Sequence, residues 1–180
     1  MNEVIFPEGY KYGKGWIVIF HELGSVAPSL EIDGETLLPK DRFHMSIFCV
    51  KKYAPLIAQQ TGESEAEVEE QILEEAKRLI ETKRVTVKGL REEFRLAEED
   101  EKKTVVVMCD ANGLEEFFEG MRKTFSIDIP LQPTHLTLYT RDGGVGIGLT
   151  GNEDVEKLTR LLTTEESEAV KKAINWQDRT

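Results

Sequence analysis

Two of the three histidines in this chain occur in the same local pattern. His44 and His135 are each followed by an apolar residue and then by a hydroxyl residue, Ser46 or Thr137. Both patterns continue with a second apolar residue and an aromatic one, so the chain reads FHMSIF at 43–48 and THLTLY at 134–139. The repetition at two distant places predicts a shared role for the two segments.

Both segments are rich in β-branched, aromatic and other apolar residues, which predicts β-strands. Side chains alternate across a strand, so His44 shares one face with Ser46, and His135 shares one face with Thr137. The same alternation predicts that an arginine and an aromatic residue extend each of these faces. The arginines, Arg42 and Arg141, are additional candidates for substrate binding, and the aromatic residues on the two faces are Phe48 and Tyr139.

The chemistry that suits these residues is the cleavage of a phosphate ester. An imidazole with a pKa near ~6.5 can take a proton in its neutral form and give one in its charged form. Hydrolysis of a phosphodiester needs both a base for the attacking water and an acid for the leaving oxygen. A neighbouring hydroxyl can donate to a non-bridging phosphate oxygen. The pattern therefore predicts that His44 and His135 form an acid/base pair, with Ser46 and Thr137 holding the phosphate.

The two H-x-[S/T] motifs resemble the signature of the 2H phosphoesterase superfamily, which includes bacterial LigT-like RNA 2′,3′-cyclic phosphodiesterases and plant cyclic phosphodiesterases. The similarity rests on the motifs, their separation, the chain length and the strand–helix order, and covers residues 15 to about 162. It implies a bilobal α+β fold with a pseudo-twofold axis, in which each lobe gives one motif strand to a central cleft. It also implies catalysis by the two histidines with no metal and no cofactor, and aromatic contacts from Phe48 and Tyr139.

We expect the substrate to be a small phosphorylated molecule or nucleotide, such as a nucleoside 2′,3′-cyclic phosphate, with RNA ends as a further class. The formal net charge is -11. Proteins that bind duplex DNA or long RNA usually present a basic face, so this charge argues against such partners. A small anion needs only a few local cations.

Three other functions stay open at this point. A non-catalytic module could use the same fold to bind a nucleotide phosphate without turnover. A 3′–5′ exonuclease acting on RNA ends could use the same residues, provided that a basic channel lies beside them. An interaction protein could use the acidic helix predicted at 64–82.

Weaker motifs are given structural interpretations. A zinc site of His21, His44 and His135 lacks the H-x-x-x-H or H-E-x-x-H spacing that would support it, so we interpret His21 as structural. The segment 146–151 (GIGLTG) matches G-x-G-x-x-G, but no βαβ unit surrounds it; we interpret it as a strand whose missing side chains make room, for example for a ligand. Residues 9–16 (GYKYGKGW) are interpreted as a flexible loop rather than a stacking platform.

The elements that must position the motifs follow from periodicity and turn residues. We predict strands at 15–22, 42–51, 84–96, 103–109, 134–140 and 145–150, with the last two forming a hairpin through Asp142-Gly143. A further hairpin is predicted between 30–32 and 36–38, through Asp33-Gly34. Helices are predicted at 53–60, 64–82 and 114–125, and from 152 through Leu161 and Leu162. Ser64 and Glu67 form a capping box. This order predicts an α+β fold with mainly antiparallel sheets and helices packed outside, in one bilobal domain over 1–180.

The bulk properties complete these expectations. The 180 residues, 39% of them hydrophobic, suffice for a packed core. No apolar run of about 18 residues is present, so we expect no membrane span. Residues 1–4 show no secretion signal, and Cys49 and Cys109 lie in apolar strands as reduced thiols, which favours the cytoplasm. We expect a monomer whose residues after 174 are poorly ordered.

Overall fold

The computed structural model describes residues 4–176 of the chain. Within this range the protein has nine strands and five helices, and every strand pairing is antiparallel. This confirms the predicted α+β class with a mainly antiparallel sheet. The expectations for residues 1–3 and 177–180 lie outside the described range. No helix between residues 4 and 176 combines the length and the hydropathy that a membrane crossing requires.

The strands form one nine-stranded sheet with the two motif strands at its centre. The strands are β1 (Tyr10–Gly13), β2 (Trp16–Phe20), β3 (Leu30–Ile32), β4 (Glu35–Pro39), β5 (His44–Cys49), β6 (Thr86–Glu99), β7 (Lys102–Asn112), β8 (His135–Thr140) and β9 (Thr159–Leu161). Their order is β1-β2-β5-β8-β7-β6-β9, while β4 also pairs with β8, and β3 pairs with β4. The histidine patterns therefore lie on neighbouring strands.

The helices are α1 (Val50–Thr61), α2 (Glu65–Lys83), α3 (Leu114–Phe125), α4 (Asn152–Leu158) and α5 (Thr164–Ala173). The first three helices share the main hydrophobic core with one face of the sheet. The predicted apolar stripes of α2 and α3 are confirmed, because their members are buried: Val68, Ile72, Ala76, Leu79, Ile80, Leu114, Phe117, Phe118, Met121 and Phe125. Cys49 and Cys109 are buried free thiols.

The helix α2 begins with the predicted capping box. The Ser64 hydroxyl accepts from the backbone N–H of Glu67, and the Glu67 carboxylate accepts from the backbone N–H of Ser64. The same pair of hydrogen bonds joins Thr163 and Glu166 at the start of α5. This second T-x-x-E signature was present in the sequence, but α5 was not predicted.

The structure corrects the predicted hairpin after β8, because residues 145–150 form no strand. The reason is that β8 has no open edge there: Thr140 is paired with Leu38 of β4 on one side and with Thr104 of β7 on the other. The chain instead leaves the plane of the sheet.

Other boundaries also differ from the predictions. The helix α1 begins at Val50, where a strand to residue 51 was predicted, and β1 forms where a loop was predicted. The helix α4 ends at Leu158, and the chain then forms β9 on the edge of β6. Leu161 is consequently an exposed strand residue rather than part of an inward helical stripe.

Candidate active site on the histidine face

The motif strands β5 and β8 pair through the residue that separates histidine from hydroxyl in each motif. Met45 lies opposite Leu136 in an antiparallel register. Both side chains are fully buried in the main core, so the side chains on either side of them point to the opposite face of the sheet. We call this opposite face the histidine face.

The antiparallel register also fixes which motif residues are neighbours. Continuing from the Met45–Leu136 pair, His44 lies opposite Thr137, and Ser46 lies opposite His135. Residues that face each other in this way have Cβ atoms roughly 4.5–5.5 Å apart. The predicted histidines and hydroxyls therefore form one compact block to which each strand contributes one imidazole and one hydroxyl.

Both motif strands carry the same irregularity directly after the hydroxyl residue. Ile47 in β5 and Leu138 in β8 are each an extra residue with no partner of its own on the adjoining strand. An extra residue of this kind disrupts the ladder and reverses the alternation of the side chains that follow.

The reversal turns the two predicted aromatic residues away from the histidine face. Phe48 is fully buried and packs against Tyr53 and Phe118, with ring centroids 5.1 and 5.8 Å apart. Tyr139 is fully buried in the same core, and its hydroxyl donates to the backbone carbonyl of Ala27 at 3.0 Å. The prediction that Phe48 and Tyr139 contact a ligand beside the histidines is therefore corrected to a role in the core.

The imidazole of His135 is almost completely buried. It is 6% exposed, and its Nδ1 has no hydrogen-bond partner among residues 4–176. Burial lowers the pKa of His135 to about 4; the carbonyl of Pro133 opposes this shift, and the proximity of His44 adds to it. His135 is therefore neutral at pH 7. A buried ring nitrogen without a partner is costly, because it has lost its hydrogen bond to water and gained none in the fold.

His44 is half-buried and has different surroundings. The ring of Phe20 meets it edge-on, with the centroids 6.2 Å apart. Burial lowers the pKa of His44, and the ammonium group of Lys40 lowers it further. Both imidazoles of the block are thus neutral at pH 7 in the ligand-free chain, and either can accept a proton.

The two predicted arginines differ in whether their guanidinium groups form an ion pair. The guanidinium of Arg42 stacks on Phe20, with Cζ 3.7 Å from the ring centroid, and forms no ion pair within residues 4–176. Arg141 donates to the carboxylate of Glu35 at 2.9 Å and to the backbone carbonyl of Glu101. Arg42 therefore has no carboxylate partner in this part of the chain, whereas Arg141 is engaged by Glu35, which disfavours its predicted ligand role.

Gln132 supports the block from the segment before β8. It is 4% exposed, and its side-chain amide donates to the backbone carbonyl of Ser46 at 3.0 Å. This hydrogen bond ties the chain entering the second motif to the first motif. No local pattern indicates this contact, because the partners are 86 positions apart in the chain.

Residues 144–151, which we call the covering segment, lie against the histidine face. A Cβ atom at Gly146 would be 3.0 Å from the hydroxyl of Thr137, and one at Gly148 would be 2.9 Å from Cζ2 of Trp16. The missing side chains let this backbone lie close against Thr137 and Trp16, so the two glycines leave no space there for a ligand.

Two lysines anchor the covering segment from either end of β5. The ammonium of Lys40 donates to the backbone carbonyl of Gly144. The ammonium of Lys52 donates to the hydroxyl of Thr150 at 2.9 Å. Sequence reasoning did not identify either lysine, although both lie within eight residues of His44 in the chain.

Other features lie apart from this block. Within residues 4–176, no group of three or more His, Cys, Asp or Glu side chains is arranged to hold a metal ion. A surface groove runs between the C-terminal ends of α1 and α3 and the middle of α2, and is lined by polar residues such as Gln60, Glu75 and Arg78. It contains no histidine.

Comparisons of the chain with protein-family models, with curated proteins and with solved structures find no match.

Proposed function

We propose that this protein is a metal-independent phosphoesterase that hydrolyses a phosphodiester with His44 and His135 as its acid/base pair. The observation that supports this is the Met45–Leu136 pairing, which sets both imidazoles and both hydroxyls side by side on one face. Two histidines of separate motifs, brought to adjacent positions by the fold, suit a reaction in which one proton is taken and another is given.

In the proposed reaction, one neutral imidazole takes a proton from water as the water oxygen attacks phosphorus. The bond from phosphorus to the ester oxygen breaks, and the other histidine, in its protonated form, gives its proton to that leaving oxygen. Ser46 and Thr137 donate to the non-bridging oxygens, where negative charge increases in the transition state. The net change is the addition of one water to one phosphodiester bond.

The symmetry of the site supports a relationship to the 2H phosphoesterases. The two motifs share their residue pattern and the extra residue that follows the hydroxyl, and they face each other across one antiparallel pair. We infer a bilobal, LigT-like arrangement in which a pseudo-twofold axis passes between Met45 and Leu136. The substrate class we propose is a nucleoside 2′,3′-cyclic phosphate or a similar small phosphodiester, including RNA ends, hydrolysed by a cytoplasmic monomer.

The direct test measures hydrolysis of adenosine 2′,3′-cyclic phosphate in the presence of a chelator. His44→Ala and His135→Ala are each expected to lower kcat by about 10²- to 10⁴-fold, since each removes one proton-transfer group. His21→Ala is the matched control, because it removes the histidine outside the two motifs and is expected to keep the activity. Circular dichroism verifies that each variant is folded. Turnover that survives either motif substitution, or that requires an added metal ion, contradicts the proposal.

The second candidate is a non-catalytic module that binds a phosphorylated ligand. It is favoured by the 6% exposure of His135 and by the close contact of Gly146 with the Thr137 hydroxyl, since both restrict access to the block. Calorimetric binding of the cyclic phosphate, with no product detectable by phosphorus NMR, would favour this candidate over the enzyme.

A further inference from the structure

The cations near the start of β5 and the end of β8, which adjoin each other in the antiparallel pair, differ in whether they form ion pairs. Beside His44, Lys40 and Arg42 form no ion pair within residues 4–176, whereas Arg141, at the end of the other motif strand, is neutralised by Glu35. We propose that Lys40 and Arg42 form a second anion-binding subsite that takes a further phosphate group of the substrate. This inference rests on the proposed function and specifies its substrate class.

Arg42 is held in place by an aromatic ring that also contacts His44. Its guanidinium carbon lies 3.7 Å from the centroid of Phe20, and the same ring meets the imidazole of His44 edge-on at 6.2 Å. One phenyl ring thus separates the guanidinium from the imidazole. The stacking leaves the in-plane N–H donors of Arg42 unobstructed by the ring, and these donors match the oxygens of a phosphate.

Lys40 contributes a second cation on the same side of the block. Its charge is near enough to His44 to lower the pKa of that imidazole, and its ammonium donates one hydrogen bond to the carbonyl of Gly144. An ammonium carries three donors, so further donors remain for a ligand. The charge of Lys40 also lowers the pKa of Asp142, whose carboxylate already accepts from the backbone N–H of Gly144 at 2.8 Å.

In the proposed reaction the two imidazoles and the two hydroxyls contact the scissile phosphate, so it does not need these two cations. Lys40 and Arg42 lie outside this block, in the segment that directly precedes His44 and β5. Cations that stay unpaired beside a site, in a chain of net charge -11, create a local positive potential in an otherwise acidic molecule. Such a potential suits a substrate with a second phosphate.

Three ligands test the subsite: adenosine 2′,3′-cyclic phosphate, the same nucleotide with a 5′-phosphate, and diadenosine monophosphate ending in a 2′,3′-cyclic phosphate. We expect kcat/KM to be at least about tenfold higher for a ligand with a second phosphate, since a charge-assisted contact typically has this effect. A preference for the 5′-phosphorylated nucleotide alone identifies a terminal phosphate, and a preference for the dinucleotide identifies an internucleotide diester.

The variants isolate the proposed residues. Arg42→Gln and Lys40→Gln should each lower the ratio of kcat/KM values between the ligands with and without the second phosphate. Phe20→Leu should lower this ratio too, because it removes the ring that positions Arg42, and Phe20→Tyr should restore it. Arg141→Gln is the matched control, since that guanidinium is held by Glu35, and the ratio should keep the wild-type value.

The outcomes separate this inference from the proposed function. Equal kcat/KM values for all three ligands, or a preference that survives Arg42→Gln, overturn the subsite and leave the phosphoesterase in place. If no ligand is hydrolysed, the enzyme proposal fails, and calorimetric binding of the same ligands decides the subsite. Binding that favours a second phosphate and requires Arg42 then supports the subsite, and binding without that preference, or no binding, overturns it.

Discussion

The lowered pKa of the buried His135 makes its protonation depend on the charge of any ligand that binds beside it. The imidazole is neutral at pH 7, because burial disfavours its charged form. A phosphate placed beside it would favour the charged form, since an opposite charge nearby raises the pKa of a histidine. Binding of an anionic substrate is therefore expected to make protonation of one imidazole easier, which supplies the acid that the proposed reaction needs.

The same shift predicts how acid affects the stability of the fold. The pKa of His135 is lowered from 6.5 to about 4 on folding. As the pH falls below 6.5, the unfolded chain takes up a proton that the folded chain does not, so the free energy of unfolding decreases until the pH approaches the folded pKa. Between pH 6.5 and 5 this effect amounts to about 2 kcal/mol.

Urea denaturation of wild type and His135→Gln at both pH values checks this prediction. The variant lacks the titrating group, so its free energy of unfolding should decrease by about 2 kcal/mol less than that of the wild type over the same interval. An identical pH dependence of the two proteins would show that His135 is not protected from protonation by the fold.

The face of the sheet to which each site residue points was predictable only where side chains alternate regularly along the strand. His44, Ser46, His135 and Thr137 share one face as predicted, because the strands are regular up to the hydroxyl residue. Phe48 and Tyr139 lie beyond the extra residue in each strand, and an extra residue becomes evident only from the pairing with a neighbouring strand. The pairing of Arg141 with Glu35 joins residues 106 positions apart, which no local pattern reveals.

Among the elements, the covering segment determines how the histidine face is packed. Gly148 contacts Trp16 so closely that a methyl group there would meet the indole ring at 2.9 Å. Gly148→Ala should therefore displace the segment from Trp16 and shift the fluorescence emission of this tryptophan. The measurement uses a Trp176→Phe background, since Trp16 and Trp176 are the only tryptophans in the chain.

Gly151→Ala provides the control for this experiment. A Cβ atom at Gly151 would have no heavy atom within 4 Å, and the backbone there is extended at φ -160, a conformation that any residue adopts. Its emission spectrum should match that of the background protein. A Gly148→Ala spectrum that also matches would refute the close packing of the segment on Trp16.

At the scale of elements, the sequence predicted those helices and strands whose signals are local. It did not predict those that depend on which strands are neighbours in the sheet. The helix α2 was predicted because its capping box and apolar stripe lie within 19 residues. The strand predicted at 145–150 had suitable residues, but β4 and β7 already occupy the edges of β8. The helix α5 carries a capping box and was missed because its apolar stripe is short, with only Val170 and Ala173 buried.

At the scale of the whole molecule, one lysine joins strands that are far apart in the sequence. The side chain of Lys103 in β7 is 4% exposed, and its ammonium contacts the carboxylates of Glu35 at 2.9 Å, Glu98 at 3.3 Å and Asp33 at 3.6 Å. These carboxylates are half-exposed, so the stem of the lysine is covered while its charge meets acids at the surface. The pKa of Lys103 is raised, because hydrogen bonds to Glu35 and Glu98 outweigh the opposing effect of burial.

Lys103→Met is expected to lower the free energy of unfolding by about 1–2 kcal/mol, because it leaves three carboxylates close together without their shared cation. Urea denaturation at low salt measures the change. Lys157→Met removes an exposed lysine paired with Glu153 four residues away in α4 and should leave the unfolding midpoint unchanged. Equal midpoints for Lys103→Met and the wild type would show that the cluster does not contribute to stability.

The overall class of the molecule was predictable, but the order of its strands was not. Hairpin turns and alternation indicated antiparallel sheets and therefore an α+β fold. The placement of β8 between β5 and β7 depends on contacts between residues 91 and 27 positions apart, such as Met45 with Leu136 and Met108 with His135. This placement is what brings the two motifs together.

The antiparallel register between the motif strands makes each half of the block depend on the other half. Thr137 is the cross-strand neighbour of His44, whereas His135 lies two residues away from Thr137 along the same strand. Loss of the Thr137 hydroxyl should therefore disturb the ring nitrogens of His44 more than those of His135. Nitrogen-15 chemical shifts of the two imidazoles in Thr137→Val would reveal this reciprocity, and Thr137→Ser should return the spectrum to that of the wild type. Neither motif is self-sufficient, so a chain divided between them would recover the block only when its two fragments reassociate.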